Sequence, residues 1–113
     1  MDEFKINFTK DMVVVKVEIL IATQRDAKPL WDEFESRLIF HQKKIIIDLS
    51  YCNIVDSTFI GMIIKIFKKV KDNGGIMKIV FPNVTTAFAF HMTGISKIID
   101  CCDSLEEAIK SFE

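Results

Sequence analysis

The sequence predicts an α/β domain: a mixed β-sheet with about four packed helices in the order ββαβαβαβα. Three observations carry this expectation. Ile45-Ile46-Ile47, continuing to Leu49, is apolar without alternation, the pattern of a strand covered on both faces in a parallel or mixed sheet. After an opening pair of strands, strand-like and helix-like segments alternate to the end of the chain, as in layered α/β domains. The 113 residues, 50% hydrophobic and 27% charged, have globular composition and the length of one domain, 1–113. Such a chain buries roughly two-thirds of its unfolded surface.

Taken in order, Phe4, Ile6 and Phe8 alternate with polar residues, the period of a half-buried strand. Lys10-Asp11 suits a turn, and Met12 to Ile21, rich in Val and Ile, reads as a second strand paired with the first. Ala22 to Lys28 reads as polar connection. Pro29 fits the first turn of a helix, where its missing N–H matters little, and Leu30, Trp31, Phe34, Leu38 and Ile39 follow at helical spacing. Ile45 to Leu49 is the expected central strand, and Asp48 to Asp56 a turn.

A helix from Ser57 to about Asp72 follows, ended by Asn73-Gly74-Gly75. Its apolar arc centres on Ile60, Ile63, Ile64, Phe67 and Val70, widened by Phe59, Met62 and Ile66, while Lys65, Lys68, Lys69 and Asp72 take the remainder. Gly61 is expected to permit close helix approach. Ile76 to Phe81 is a strand, Thr85 to Met92 a short helix bearing Phe88 and Phe90 and closed by Thr93-Gly94, and Ile98 to Cys101 a last strand. Ser104-Leu105-Glu106-Glu107 has capping-box spacing, so a terminal helix turns Leu105, Ala108, Ile109 and Phe112 inward.

Charge and cysteine content narrow the function classes. A formal charge of -1 supplies no field for nucleic acid. Cys52, Cys101 and Cys102 are odd in number with two adjacent and no signal peptide before them, which predicts reduced thiols and a cytoplasmic location. Neighbouring Cys101 and Cys102 should point one sulfur inward and one outward. No apolar run approaches the ~20 residues of a membrane span, so no membrane insertion is expected.

His41 and His91 lie in no metal-ligand spacing, no C-x-x-C exists, and neither G-x-S-x-G, a P-loop nor G-x-G-x-x-G is present. No metal, cofactor or catalytic residue is expected, and the chain reads as a non-enzyme. The remaining polar feature is Asp56-Ser57-Thr58 at a helix start, whose plain reading is capping of free N–H groups.

The segment Ile45-Ile-Ile-Asp-Leu-Ser-Tyr-Cys-Asn-Ile-Val-Asp56-Ser57-Thr58-Phe59-Ile60-Gly61 resembles the strand and D-S-[ST]-G-[LI]-G signature of STAS domains, the anti-sigma factor antagonists. Further segments agree in order. Lys71-Asp-Asn-Gly-Gly is similar to the family's G-G after this helix, Phe90-His-Met-Thr-Gly-Ile95 to its L-x-x-[ST]-G-[LIF], and Asp103-Ser-Leu-Glu-Glu-Ala108 to its D-[ST]-x-x-E-A.

The resemblance implies a phosphorylation switch at Ser57. The unmodified protein would bind an anti-sigma factor that is a serine kinase and so free a sigma factor; phosphorylation would release it, and a PP2C-type phosphatase would reset it. Asp56 would cap the helix or meet the partner, Thr58 would be a secondary acceptor, and Phe59 and Met62 read either as core or as partner contact area. Phe59 stands where the family usually has Gly, which sets a ring beside Ser57. The family's G-x-[LI]-D segment is absent from Leu20-Ile-Ala-Thr-Gln-Arg-Asp26. A second reading is a STAS subunit of a lipid-transport or stress-signalling complex that needs no phosphate cycle. A third is a small enzyme or nucleotide-binding protein using the Ser57 pocket.

Overall fold

In the computed structural model, which describes residues 3–82 and 90–113, the all-apolar run of Ile45 to Ile47 lies in the central strand β4 (Lys44–Asp48). β2 (Met12–Val17) and β6 (Ile76–Val80) flank it, both parallel to it. β1 (Phe4–Phe8) pairs antiparallel with β2 at one edge, and β7 (Asp100–Cys102) pairs parallel with β6 at the other. The sheet order is therefore β1-β2-β4-β6-β7. Ile45, Ile46 and Ile47 are fully buried because both faces are covered.

Ile45 and Ile47, with Val13, Val15 and Ile79, face α1 (Gln24–Ser36) and α2 (Ser57–Asp72), which contribute Leu30, Phe34, Ile63, Ile66 and Val70. Ile46 faces the other way, into a smaller cluster with Val14, Val80, Cys102 and Ala108 of α3 (Leu105–Lys110). α3 is capped by Ser104, whose hydroxyl accepts from the Glu107 N–H, and Leu105, Ile109 and Phe112 pack around Ala108 as expected.

Several boundaries differ from the sequence expectation. The second strand ends at Val17 rather than Ile21. Ile21 and Ala22 instead form β3 (Ile21–Ala22), parallel to β5 (Ile54–Val55) inside the expected turn. The first helix begins at Gln24, so Pro29 lies in its interior and Ala22 to Lys28 is not a connection. The start is set by a capping box: Thr23 Oγ1 accepts from the Arg25 N–H, and the Asp26 carboxylate accepts from the Thr23 N–H at 3.0 Å.

The helix stops at Ser36. Leu38 is exposed with φ 57°, and Ile39 and Phe40 are buried in a 3-10 turn, Ile39–His41. The last strand starts at Asp100, after a 3-10 turn at Ile95–Lys97. Most of the expected Thr85 to Met92 helix, Phe88 included, lies outside the described residues. Phe90 to Met92 are helical, and Gly94 at φ 76° adopts the left-handed conformation that ends the turn.

Candidate partner-binding site

The site forms where β4 ends and α2 begins. From Leu49, whose N–H donates to the Val80 carbonyl, the chain turns through Cys52, whose N–H returns to the Leu49 carbonyl at 2.9 Å. Cys52 is fully buried, its Sγ 3.7 Å from the Val17 carbonyl, and this plug holds the turn against β2. β5 then pairs with β3, and the Asp56 N–H donates to the Ala22 carbonyl at 2.9 Å. The two strand-to-helix junctions, 21–24 and 54–57, are thereby tied side by side.

Asp56 completes that tie with its side chain. One carboxylate oxygen accepts the Phe59 N–H at 2.8 Å, capping α2, and the other accepts the Gln24 N–H at 3.0 Å, in the first turn of α1. A single carboxylate thus bridges two helix N-termini. Each carries about half a positive elementary charge from its macrodipole, so the junction suits an anion. The capping role of Asp56 is therefore present and extends to a second helix.

Ser57 and Thr58, the first two residues of α2, are both exposed. Phe59 is fully buried in the larger core cluster, so its side chain is not available to a partner and does not crowd the Ser57 hydroxyl. This corrects the contact reading for Phe59, and the cause is its position over Ile63, Ile66 and Val70 on the inward stripe. Met62 is half-buried at the core edge. Gly61 is exposed, and among the described residues a methyl group there would meet nothing within 4 Å, so none of them makes the expected close approach.

Four apolar residues beside the junction escaped the sequence reading as surface: Leu20, Ile21, Tyr51 and Ile54 are each about half exposed. Ile21 and Ile54 are register partners across β3 and β5. In the sequence, Tyr51 and Ile54 are apolar residues of the expected turn, whereas Leu20 and Ile21 end the expected second strand; the β3–β5 pairing sets Ile21 beside Ile54.

The remaining reactive groups are elsewhere or quiet. His41 precedes β4 and so lies at the opposite end of the sheet from Ser57, while His91 packs on the Phe81 ring at 4.5 Å. Burial, with Asp48 nearby, pushes the Cys52 thiol up to about 12; burial, then Asp100 and Cys102, does the same for Cys101. Cys102 is also raised, chiefly by burial. All three are free thiols, Cys102 buried and Cys101 half-buried. Among the described residues no group of His, Cys, Asp and Glu could hold a metal ion, and no helix is long and apolar enough to cross a membrane.

A family model described as STAS domain matches residues 6–108. The chain belongs to the STAS domain family. Within that family it is 29% identical, over 86 residues, to a candidate anti-sigma factor antagonist of Thermotoga neapolitana, covering 76% of this chain and 74% of that protein. The STAS fold superposes on the crystal structure of a candidate anti-sigma factor antagonist from Thermotoga maritima with a TM-score of 0.77 at 24% identity, over 96% of this chain and 92% of that one. It also superposes on the Bacillus cell fate determinant SpoIIAA in its phosphorylated form, with a TM-score of 0.69 at 17% identity over 97% and 99%.

Proposed function

We propose that this STAS domain is an anti-sigma factor antagonist switched by phosphorylation of Ser57, without catalytic activity of its own and acting in the cytoplasm. Unmodified, it binds an anti-sigma factor serine kinase through Asp56, Ser57, Thr58 and Met62 and so releases a sigma factor. The kinase phosphorylates Ser57 and lets go, and a PP2C-type phosphatase resets the cycle. The observation that carries the proposal is the exposed Ser57 hydroxyl at the first position of α2, beside a carboxylate that bridges two helix N-termini. The names of the Thermotoga relatives support the same reading.

The physics of such a switch is direct. A phosphate adds about -1.5 to -2 charges. At a helix N-terminus the dipole stabilises a negative group by about 0.3–1 kcal/mol, so the fold survives. In a partner interface, the same charge beside the Asp56 carboxylate adds repulsion and desolvation. The test is incubation with the source organism's anti-sigma factor kinases and ATP, followed by phosphosite mapping. Labelling should fall on Ser57 and vanish in Ser57→Ala; labelling that persists at Thr58 or elsewhere would reject the assignment.

The half-exposed Leu20, Ile21, Tyr51 and Ile54 favour a second reading, a constitutive subunit of a lipid-transport or stress-signalling complex. Stable co-purification unaffected by Ser57→Asp would select it.

A further inference from the structure

Gly61 raises a question that the chain's own packing does not answer. It occupies the interior of α2, where glycine is less favourable than alanine by about 1 kcal/mol, yet a methyl group there would meet nothing within 4 Å. Among the described residues no contact requires the missing side chain. At ~100° per residue, Ser57, Gly61, Lys65, Lys68 and Asp72 fall on one outward face, and all five are exposed. The row begins at the proposed switch and runs about 16 Å along the helix to Lys68.

That face is basic and uncompensated. From Ser57 to Asp72 the helix carries four lysines against one aspartate. No ion pair among the described residues engages Lys65, Lys68, Lys69 or Lys71. Lys65 and Lys69 instead rest over the Trp31 ring, 4.8 and 5.0 Å from its centroid, which holds both ammoniums on this side of the molecule. By contrast, Lys28 in α1, Arg37 just past its end and Lys110 in α3 each pair with a carboxylate.

We infer that this row is a docking track for a protein partner presenting acidic side chains beside a closely packed backbone segment: Gly61 admits the backbone, and Lys65 and Lys68 meet the carboxylates. The inference rests on the proposed antagonist function and specifies the partner's chemistry. Nucleic acid fits less well, because Asp56 and Asp72 stand at the two ends of the track and the whole chain is net negative. Opposite charges here would speed encounter and fix register, while reversing them would set like charges together.

The test measures affinity for the source organism's anti-sigma factor kinases, each purified, by calorimetry at about 0.05 and 0.3 M salt. K65E/K68E should weaken binding at least about tenfold and flatten its salt dependence, as should Gly61→Leu without the change in salt dependence. K10E/K97E, with the same change in net charge away from α2, should stay within about twofold. Lys68→Glu alone repeats the test if the double variant fails to fold.

Wild-type affinity in the track variants, with release by Ser57→Asp intact, overturns the track and leaves the switch standing. Loss in the track variants with no effect of Ser57→Asp upholds the track and removes the switch. Absence of binding by wild type to every kinase overturns both. Competition by a DNA duplex that K65E/K68E abolishes would replace the acidic protein with nucleic acid and overturn the inference.

Discussion

Asp56 offers a sharp perturbation because its two oxygens serve two different helices. In Asp56→Ala, α2 loses its N-cap, which costs about 0.5–2 kcal/mol, and the Gln24 N–H loses an acceptor worth about 1 kcal/mol more. The sum is roughly 2 kcal/mol, a large share of the 5–15 kcal/mol typical of a domain. Asp56→Asn keeps one carbonyl oxygen and so can cap α2, but its amide would point N–H groups at the Gln24 N–H, and the loss should be about 1 kcal/mol. Urea unfolding, followed by the fluorescence of the only tryptophan, Trp31 in α1, measures both. Hydrogen exchange adds the location: in the Asn variant the Gln24 amide should lose protection while Phe59 keeps it. Equal exchange at Gln24 in wild type and both variants, or an Ala variant within about 0.5 kcal/mol of wild type, would refute the bridge.

The other predictions follow from single contacts. Gly61→Ala should stabilise the fold by about 0.5–1 kcal/mol, since the helix gains propensity and the methyl meets none of the described residues; a destabilised variant in thermal melts would contradict this. Gly75→Ala should destabilise by about 1–3 kcal/mol, because its Cβ would lie 2.7 Å from the Gln42 carbonyl and 2.9 Å from Val70 Cγ1; an unchanged melting midpoint would show that the 73–76 turn yields freely. Cys52 has a folded value of about 12 against an ordinary 9.0, so the folded state holds its proton while the unfolded state releases it. Its stabilisation is complete below pH 9.0 and is lost as pH rises toward 12, at a slope of about 1.4 kcal/mol per pH unit, and Cys52→Ala should flatten that part of the stability profile. An identical alkaline slope in the variant would deny the thiol this role.

Strong local signals made some elements legible in the sequence. Ile45 to Ile47 could only be a doubly covered strand, and α2 carries a capping aspartate at one end and Asn73-Gly74-Gly75 at the other, so its observed bounds match the expected ones. The start of α1 was hidden because Asp26 closes the capping box where Glu or Gln is usual, and Pro29 looked like the entry residue it is not. β3 and β5, two residues each, are too short for any periodicity; their pairing depends on the Ala22 carbonyl meeting the Asp56 N–H across the fold.

The same tertiary contact explains what was visible of the site. Local sequence marked Asp56 as a cap, and nothing local could connect it to Gln24, which is brought alongside only when α1 and α2 pack on one face of the sheet. Helical spacing centres the wide apolar arc of α2 on Ile60, Ile63, Ile64, Phe67 and Val70, with Phe59 at its edge. Burial puts that centre on the row of Phe59, Ile63, Ile66 and Val70, which moves Phe59 from the site's rim into the core and leaves Gly61 facing solvent.

Under the proposed switch, charge on Ser57 should break the partner interface while leaving the domain folded. Affinity for the cognate kinase, measured with unmodified and stoichiometrically Ser57-phosphorylated protein at matched salt, tests it most directly. A loss of at least about a hundredfold, near 2.8 kcal/mol, with melting midpoints that agree between the two forms, is the predicted result. Affinities that agree within about twofold, or a phosphorylated form that binds less only because it has unfolded, would contradict it.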